Sequence, residues 1–297
     1  MPLFACPECE AELGAQPEAC LCTRCGRRFE YRDGMWRFLT PARGAALEPF
    51  LRQYRVVRGS DGHRQAAPEY YRMLPSVADD HPQAAEWRVR RETYHHLLQH
   101  VLAEGPQPVR ALDIGAGSGW LSHRLAELGH QTVAVDVLDD DADGLGAARH
   151  YPSRFAVVQA DFNALPFLPH QFDLVVFNGS LHYAHDVGDA LARAHDMLAS
   201  GGALVVMDSP MFHSDGDGRA MTTERARRFQ LQYGLASVVR AGAGYLTFPS
   251  LEAAAQALQL QSAFVPSRGP LGWRMRRRLA YLRLRRAPAA FGLWVAR

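Results

Sequence analysis

The sequence predicts an α/β protein built on a doubly wound parallel sheet, with a small cysteine-rich module in front of it. Three observations support this prediction. A buried strand runs directly into a glycine-rich turn and a helix at residues 111–120. From there to the end of the chain, strand and helix patterns alternate, which is typical of a parallel sheet covered by helices on both faces. Two Cys-x-x-Cys pairs lie within the first 25 residues.

Length, composition and charge set broad limits on the protein. The chain has 297 residues, enough for one sizeable α/β domain and a small extra module. The formal net charge of +2 does not indicate a polyelectrolyte partner, because net charge governs solubility and non-specific attraction. No apolar run has transmembrane length, and the first residues lack the basic start and apolar core of a signal peptide. We therefore expect a cytoplasmic protein.

The cysteines predict a metal-binding module at residues 1–40. All five fall within residues 6–25, and clustered cysteines in a chain without a secretion signal favour metal ligation over disulfides. Two Cys-x-x-Cys turns can present four thiolates to one tetrahedral zinc ion. The predicted ligands are Cys6, Cys9, Cys22 and Cys25. Cys20 is left over as a buried free thiol, and the alternative for the two pairs is a redox dithiol or a chance cluster.

The rest of this module and the segment after it carry weaker patterns. Residues alternate along 28–39 with a turn at Asp33 and Gly34, which predicts a β-hairpin. Residues 41–82 follow as a linker or lid, with a short helical piece around 47–57. The pair Tyr70–Tyr71 is expected to pack between the two domains, and the alternative is that it covers a ligand as a lid.

Strand and helix patterns alternate through the remainder of the chain. A long helix is predicted over 82–103 from the helical spacing of Trp87, Tyr94 and further apolar residues. Core strands are predicted at 109–114, 131–136, 155–159, 172–178 and 203–208. Helices after them are predicted at 119–128, 142–149, 187–199 and 250–259. Ligands of such sheets bind beyond the carboxyl ends of the strands.

The turn after the first core strand is the most informative segment. Gly115, Gly117 and Gly119 allow the backbone to turn tightly and to approach a ligand where a side chain would clash. The next strand ends in Asp136, where a carboxylate can accept hydrogen bonds from ribose hydroxyls. Together these features predict a nucleoside-binding crevice.

The order of motifs around this crevice resembles the class I S-adenosylmethionine (SAM) methyltransferases. The Gly-x-Gly-x-Gly spacing, with Asp113 two residues before the first glycine, looks like motif I of that family, whereas dinucleotide folds use Gly-x-Gly-x-x-Gly. Further similar elements follow in the family's order over residues 83–265. They are Asp161-Phe162, the strand at 172–178 and the Gly-Gly turn before the strand at 203–208.

The resemblance implies a fold and a cofactor. It implies a Rossmann-like, doubly wound sheet of seven strands in a methyltransferase domain at 83–297, with a sixth strand near 260–265 and an antiparallel last strand at 291–296. SAM is the expected cofactor. The implied cofactor-binding residues are Arg90, Asp113, Gly115, Gly117, Gly119, Asp136, Asp161, Phe162 and Asn178.

Individual roles also come from the resemblance. Asp136 would hold the ribose and Asp161 the adenine amine, while Asp113 would orient the turn or meet the SAM amino group. Arg90 falls within the apolar stripe of the helix before motif I, where a guanidinium needs an anionic or carbonyl partner. It would pair with the SAM carboxylate, and the alternative is a snorkelling or internally paired arginine.

The acceptor side is less specific. His182 and His185, after the fourth core strand, could take a proton from an acceptor, although a packing role is the favoured interpretation. Residues 209–247 are expected to form a substrate cover. The segment 266–288 interleaves eight arginines with aromatic residues and leucines. Such a stretch suits a phosphate backbone, an anionic membrane or an acidic substrate, and the alternative is a solvated helix face.

The predicted function is SN2 transfer of a methyl group from SAM to a small-molecule or metabolite acceptor. One alternative is an RNA methyltransferase that grips its substrate with the arginine-rich segment and the N-terminal module, because that module resembles the zinc ribbons of some ribosomal-RNA guanine methyltransferases. The other alternative is a non-catalytic SAM-binding activator. RNA binding would weaken steeply with salt, and a non-catalytic protein would bind SAM without turnover.

Overall fold

The computed structural model describes residues 1–15, 18–60, 67–105, 107–234 and 242–297. The strands are β1 (Gly14–Ala15), β2 (Ala19–Leu21), β3 (Arg28–Arg32), β4 (Met35–Arg37), β5 (Arg110–Ile114), β6 (Gln131–Asp136), β7 (Ala156–Gln159), β8 (Phe172–Asn178), β9 (Leu198–Met207), β10 (Met211–Phe212), β11 (Leu246–Thr247), β12 (Ser262–Pro266) and β13 (Gly292–Ala296). The α-helices are α1 (Pro41–Ser60), α2 (Pro68–Met73), α3 (Ala84–Leu97), α4 (Trp120–Glu127), α5 (Val187–Asp196), α6 (Asp215–Tyr233), α7 (Phe248–Ala257) and α8 (Leu271–Leu284). Among the described helices, none has the length and apolar character needed to cross a membrane.

Seven strands form the central sheet in the spatial order β7-β6-β5-β8-β9-β13-β12. The strands β5 to β9 run parallel to one another in this sheet, and β13 lies antiparallel between β9 and β12. This arrangement confirms the predicted doubly wound fold with an antiparallel last strand. The strand order reverses between β5 and β8, so a crevice forms at the carboxyl ends of these two strands.

Alternate residues of the strands enter two separate hydrophobic cores. In β8, Val175 and Phe177 face the core shared with α5 and α7, whereas Leu174 and Val176 face the core shared with α3 and α4. Successive side chains of a strand point to opposite faces of a sheet. Because both faces are covered, β8 is apolar through its middle and does not alternate with polar residues.

Several predicted helices differ in extent from the observed ones. The helix α1 is longer than the piece expected at 47–57, and Pro41 occupies its first position, where proline costs no hydrogen bond. The predicted helix at 142–149 is a 3-10 helix at Leu145–His150. Gly144 and Gly146 weaken helix propensity there, and a Cβ at either would collide with the backbone of residues 138–141. The helix α6, Asp215–Tyr233, lies within the segment 209–247 that was expected to cover the substrate.

The cysteine-rich module continues the central sheet. The strands β1 to β4 form an antiparallel meander, which confirms the predicted hairpin. The strand β4 then pairs in parallel with β7, with Trp36 opposite Val158. The Phe38 N–H extends this contact by donating to Gln159 O at 2.8 Å. The module is therefore joined to the sheet through backbone hydrogen bonds, and the domain boundaries at residues 40 and 82 stay predictions.

An aromatic cluster fills the junction between the module and the sheet. The Phe4 ring lies 5.2 Å from that of Trp36, 4.8 Å from that of Phe38 and 5.8 Å from that of Phe167. All four side chains are buried. Clusters of this kind contribute through the large apolar area of each ring and through ring–ring contacts.

Truncation of Trp36 tests whether the module and the sheet unfold together. Trp36 is 4% exposed, so we expect Trp36→Ala to lower the free energy of unfolding by about 3–5 kcal/mol. Chemical denaturation followed by circular dichroism should show one transition, shifted as a whole. The matched control is Tyr31→Ala, because Tyr31 also contacts Trp36 but is 43% exposed. An early partial transition, with the main one unchanged, would show that the two parts unfold independently.

Candidate active site

Backbone hydrogen bonds hold the glycine turn after β5 against β6. The N–H groups of Gly115 and Ala116 both donate to Val135 O, at 2.8 and 3.0 Å. Gly115 and Gly117 have φ angles of +72° and +53°, which disfavour a residue with a Cβ. A Cβ at Gly115 would also collide with the Ser180 side chain. The turn is therefore a narrow backbone cradle that requires glycine.

Asp136 ties this cradle to the end of β6. Its Oδ2 accepts a hydrogen bond from the Gly117 N–H at 2.8 Å, and its Oδ1 accepts one from the Leu138 N–H at 2.9 Å. Burial raises the pKa of Asp136, and these two N–H groups act in the opposite direction. Each carboxylate oxygen can accept a further hydrogen bond. Asp136 can therefore hold the cradle and still receive hydroxyl donors from the cleft.

A cleft of about 910 Å³ opens at the carboxyl ends of β5, β6, β8 and β9. Its volume lies within the range of about 300–1,000 Å³ that is usual for small-molecule sites. Seven of the residues predicted from the sequence line it: Arg90, Gly115, Gly117, Asp136, Phe162, Asn178 and His182. The structure therefore brings together residues from six separate elements and loops around one cavity.

Four other predicted residues lie outside the lining of this cleft. Asp113 is buried behind the turn, where its Oδ2 accepts a hydrogen bond from Ser122 Oγ at 2.9 Å. Burial raises the pKa of Asp113 to about 7. Gly119 precedes α4 in a left-handed conformation and packs against the Phe155 ring. His185 is exposed and, unlike His182, does not line the cleft.

Asp161, the fourth of these, is engaged by other side chains. Its Oδ1 accepts hydrogen bonds from the backbone and the side-chain amide of Asn163, at 2.9 and 2.8 Å. Its Oδ2 lies 3.1 Å from the Arg43 guanidinium, which comes from α1. The Asp161 carboxylate would therefore have to accept a hydrogen bond from a ligand amine in addition to the one from Arg43. Its neighbour Phe162 does line the cleft.

The helices α1 and α2 form one wall of the cleft. Phe50 and Tyr54 of α1 pack against Tyr183, and the Arg58 guanidinium forms a two-pronged ion pair with Asp143 at 2.6 Å. Tyr71 of α2 lines the same wall. Residues 41–82 therefore contribute side chains to the cavity. Tyr70 and Tyr71 pack in the core shared with α3 and α4 and also line the cleft, and their role as a lid stays a prediction.

Asp208 is a cleft residue that the sequence analysis did not single out. It directly follows β9, has a φ of +55° and is 8% exposed. Thr93 Oγ1 lies 2.9 Å from its Oδ1, and its Oδ2 has no hydrogen-bond partner among the described residues. Burial raises the pKa of Asp208 to about 6, and the nearby Arg90 charge acts in the opposite direction. The sequence signal that could have identified Asp208 is its position directly after a core strand, because Asp136 also lies at the end of such a strand.

His182 is both packed within the fold and part of the cleft. It is buried, its Nδ1 lies 3.2 Å from Ser209 Oγ, and its ring lies 4.2 Å from that of Tyr183. These contacts account for a histidine at this position without catalysis. Its place in the lining keeps it within reach of a bound molecule, so its role as a base stays a prediction.

The four predicted metal ligands lie together in the N-terminal module. The sulfur atoms of Cys6, Cys9, Cys22 and Cys25 all lie within 4.8 Å of one another. Thiolates around a tetrahedral zinc ion are separated by about 3.8 Å, since each Zn–S bond is about 2.3 Å. Cys20 is buried in β2 and is not one of this group. The spacing and the all-sulfur donor set therefore fit one zinc ion.

Comparison with known proteins identifies the family of this site. Residues 112–206 match the family model described as "Methyltransferase domain". The malonyl-[acyl-carrier protein] O-methyltransferase of Chlorobium luteolum is 34% identical over 128 residues, which cover 41% of this chain and 49% of that protein. The tRNA 5-carboxymethoxyuridine methyltransferase of Escherichia coli K12 is 31% identical over 115 residues, which cover 37% of this chain and 44% of that protein. The chain thus spans about half the length of the curated relatives it matches.

A solved structure supports the same fold. The magnesium protoporphyrin IX methyltransferase of Synechocystis PCC 6803, with bound S-adenosylhomocysteine (SAH), aligns with a TM-score of 0.52 at 16% identity. The alignment covers 84% of this chain and 98% of that one. With the sheet order and the glycine cradle, these findings show that residues 112–206 carry a methyltransferase domain and that the chain has the class I methyltransferase fold.

The raised pKa of Asp208 predicts how the free energy of unfolding depends on pH. Because its pKa rises from 3.8 to about 6 on folding, the protonated carboxyl stabilises the fold below about pH 4, and this stabilisation is lost as pH rises through 6. Asparagine is isosteric and tolerates positive φ. Asp208→Asn should therefore be more stable than wild type at pH 7, by about 2–3 kcal/mol, and the difference should shrink towards pH 4.

Thermal or denaturant unfolding of the ligand-free protein across this pH range measures the effect. The control is Asp141→Asn, because a hydrogen bond from Arg149 lowers the pKa of Asp141 at an exposed position. At pH 7, Asp141→Asn should lower the free energy of unfolding slightly, which is opposite to the increase expected for Asp208→Asn. A pH-independent difference for Asp208→Asn would show that folding leaves the pKa of Asp208 unchanged.

Proposed function

We propose that this chain binds SAM in the cleft and transfers its methyl group to a small-molecule acceptor. The observation that carries the proposal is that the glycine cradle and Asp136 are hydrogen-bonded to each other and line the same cleft. The cavity continues past the cradle along aromatic side chains of α1, α2, α6 and α8. One part of it suits a nucleoside and the rest is available to an acceptor. The two named relatives have different acceptors in their names, so the acceptor is argued from this cleft alone.

The residues around the cleft fit the charge pattern of SAM, which carries a sulfonium, an ammonium and a carboxylate. Asp208 offers an unpartnered buried oxygen to a cation. Arg90, whose guanidinium lies 4.8 Å from the centre of the Trp87 ring, offers a cation to the carboxylate. Asp136 offers acceptors to the ribose hydroxyls. A buried polar group costs free energy until it is paired, so these groups favour a ligand with complementary charges.

When bound, SAM supplies an electrophilic methyl group on a positively charged sulfur. The work of the chain is then to align a nucleophilic atom of the acceptor with that methyl group and to keep water away. The wall built by Phe50, Tyr54 and Tyr71 contributes apolar cover. His182 and Asp208 are titratable groups in the lining, and either can hold a proton released by the acceptor.

Charges near the cleft favour a small acceptor over RNA. Within the arginine-rich segment, Arg277 and Arg286 line the cavity, and Arg286 is neutralised by Glu224 through contacts of 2.6 and 2.8 Å. RNA binding depends on arginines that release counterions from phosphates along an open surface. Side chains that face a cavity of this size serve a smaller ligand better.

Replacement of Asp136 tests the cofactor site. We expect Asp136→Ala to weaken SAH binding by about 10- to 100-fold, because a ribose would lose a charged acceptor worth about 1.5–3 kcal/mol. Isothermal titration calorimetry with SAH measures this, and the melting temperature confirms folding. The control is Asp141→Ala, which removes a more exposed carboxylate from the same loop. An unchanged dissociation constant in Asp136→Ala would refute the assignment, and absence of SAH binding by wild type would refute the proposed function.

We also propose that the N-terminal module holds one structural zinc ion. Four cysteine ligands complete a tetrahedral shell and leave no position for a substrate. The module lies at β4 and β7, and the cysteines belong to its turns rather than to the cleft. Zinc would therefore stabilise the meander that joins the central sheet.

Metal analysis of two cysteine variants tests the ligand set. Elemental analysis of purified protein should give one equivalent of zinc for wild type and for Cys20→Ser, and markedly less for Cys9→Ser. Cys20→Ser is the matched control because it removes a thiol from the same module but outside the cluster. Loss of zinc from Cys20→Ser, or a full equivalent in Cys9→Ser, would contradict the proposed ligands.

A further inference from the structure

The part of the cleft formed by α6 and α8 has a guanidinium among aromatic rings. The Arg277 Cζ lies 4.1 Å from the centre of the Trp273 ring and 5.3 Å from that of Phe291. All three residues line the cavity. Rings so placed hold the guanidinium by cation–π attraction and keep water away from it. The Arg277 guanidinium is therefore a rigid and partly desolvated group of hydrogen-bond donors.

No carboxylate in the described part of the chain neutralises the charge of Arg277. Among the described residues, no carboxylate forms an ion pair with Arg277, whereas the nearby Arg286 forms one with Glu224. Burial and the positive charge of Arg286 lower the pKa of Arg277 to about 10. A buried guanidinium without an anion is costly, so an anionic ligand would relieve this cost.

A second arginine of the cleft repeats the arrangement. The Arg225 Cζ, on α6, lies 5.3 Å from the centre of the Phe229 ring, and both residues line the cavity. No ion pair to Arg225 is present among the described residues. Arg225 and Arg277 thus bring two guanidinium groups and three or more aromatic faces to the same cavity.

We propose that this part of the cleft is a subsite for an oxyanion, a carboxylate or a phosphate, carried on a planar aromatic acceptor. The inference rests on the proposed function and adds the chemical class of the acceptor. Arginine forks bind such oxyanions through two parallel hydrogen bonds, and Trp273, Phe229 and Phe291 offer apolar faces to an aromatic body. Arg90 belongs to a different helix, beside Asp208, and remains the candidate for the SAM carboxylate.

A set of matched probes tests the subsite. With the protein saturated with SAH, ligand-observed NMR titrations compare 4-hydroxybenzoate and phenyl phosphate with the neutral 4-hydroxybenzamide. We expect wild type to prefer at least one anion over the amide by about tenfold or more, the value of one charge-assisted hydrogen bond. The stronger of the two anions shows whether the subsite suits a carboxylate or a phosphate.

Variants of α8 assign the preference to Arg277. Arg277→Gln should reduce the preference to less than about threefold and leave the dissociation constant of SAH unchanged. Arg277→Met keeps an unbranched apolar stem on Trp273 and gives the same test if Gln destabilises the fold. The matched control is Arg274→Gln, one turn earlier on α8 and outside the cleft lining, which should behave as wild type.

The outcomes separate this inference from the proposed function. Equal binding of the anions and the amide by wild type, or a preference that survives loss of the Arg277 charge, overturns the subsite while SAH binding still supports a methyltransferase. A parallel loss of SAH affinity in the Arg277 variants also overturns it, because Arg277 would then belong to the cofactor site. Failure of wild type to bind SAH overturns the proposed function itself.

Discussion

The geometry of the cleft depends on the carboxylate of Asp136. Its two oxygens accept hydrogen bonds from Gly117 and Leu138, so one side chain fixes both the glycine turn after β5 and the chain leaving β6. Charge-assisted hydrogen bonds of this kind are short and directional, and the partial burial of Asp136 limits competition from water. The cradle therefore exists before any ligand arrives, and little ordering of this turn remains to oppose binding.

Coverage of the sheet on both faces positions the rest of the cleft. Because α3 packs on one face, Arg90 and Thr93 reach the end of β9, where Thr93 contacts Asp208. The loop between β6 and the following 3-10 helix places Asp143 against Arg58, which brings α1 over the opening. The acceptor side is then closed by α6 and α8, whose aromatic and arginine side chains complete the cavity. Each wall thus follows from a packing contact made elsewhere in the fold.

Sequence patterns predicted the fold, and only part of the site. The strand periodicity and the glycine turn are determined by the backbone conformation of residues adjacent in the sequence. Gly115, Gly117 and Asp136 could therefore be identified from their neighbours in the chain alone. Contacts between residues distant in the chain leave no such signal. The Arg43 contact with Asp161 spans 118 residues, and the exposure of His185 depends on how its loop packs. Asp208 directly follows a core strand, but its burial and its contact with Thr93 depend on where α3 packs. The arginines of α8 could be counted in the sequence, but which of them faces the cavity depends on the rotation of the helix.

The pairing of β4 with β7 has a consequence for how this protein behaves among other chains. Without it, β7 would be an edge strand, and edge strands present unpaired N–H and C=O groups that recruit other polypeptides. The meander moves that edge outward to β1, which is only two residues long. At the opposite end, β12 finishes in Pro266, which has no N–H to offer. The cysteine-rich module thus acts as a terminator of the sheet, and a relative without it needs another way to protect the same strand from aggregation.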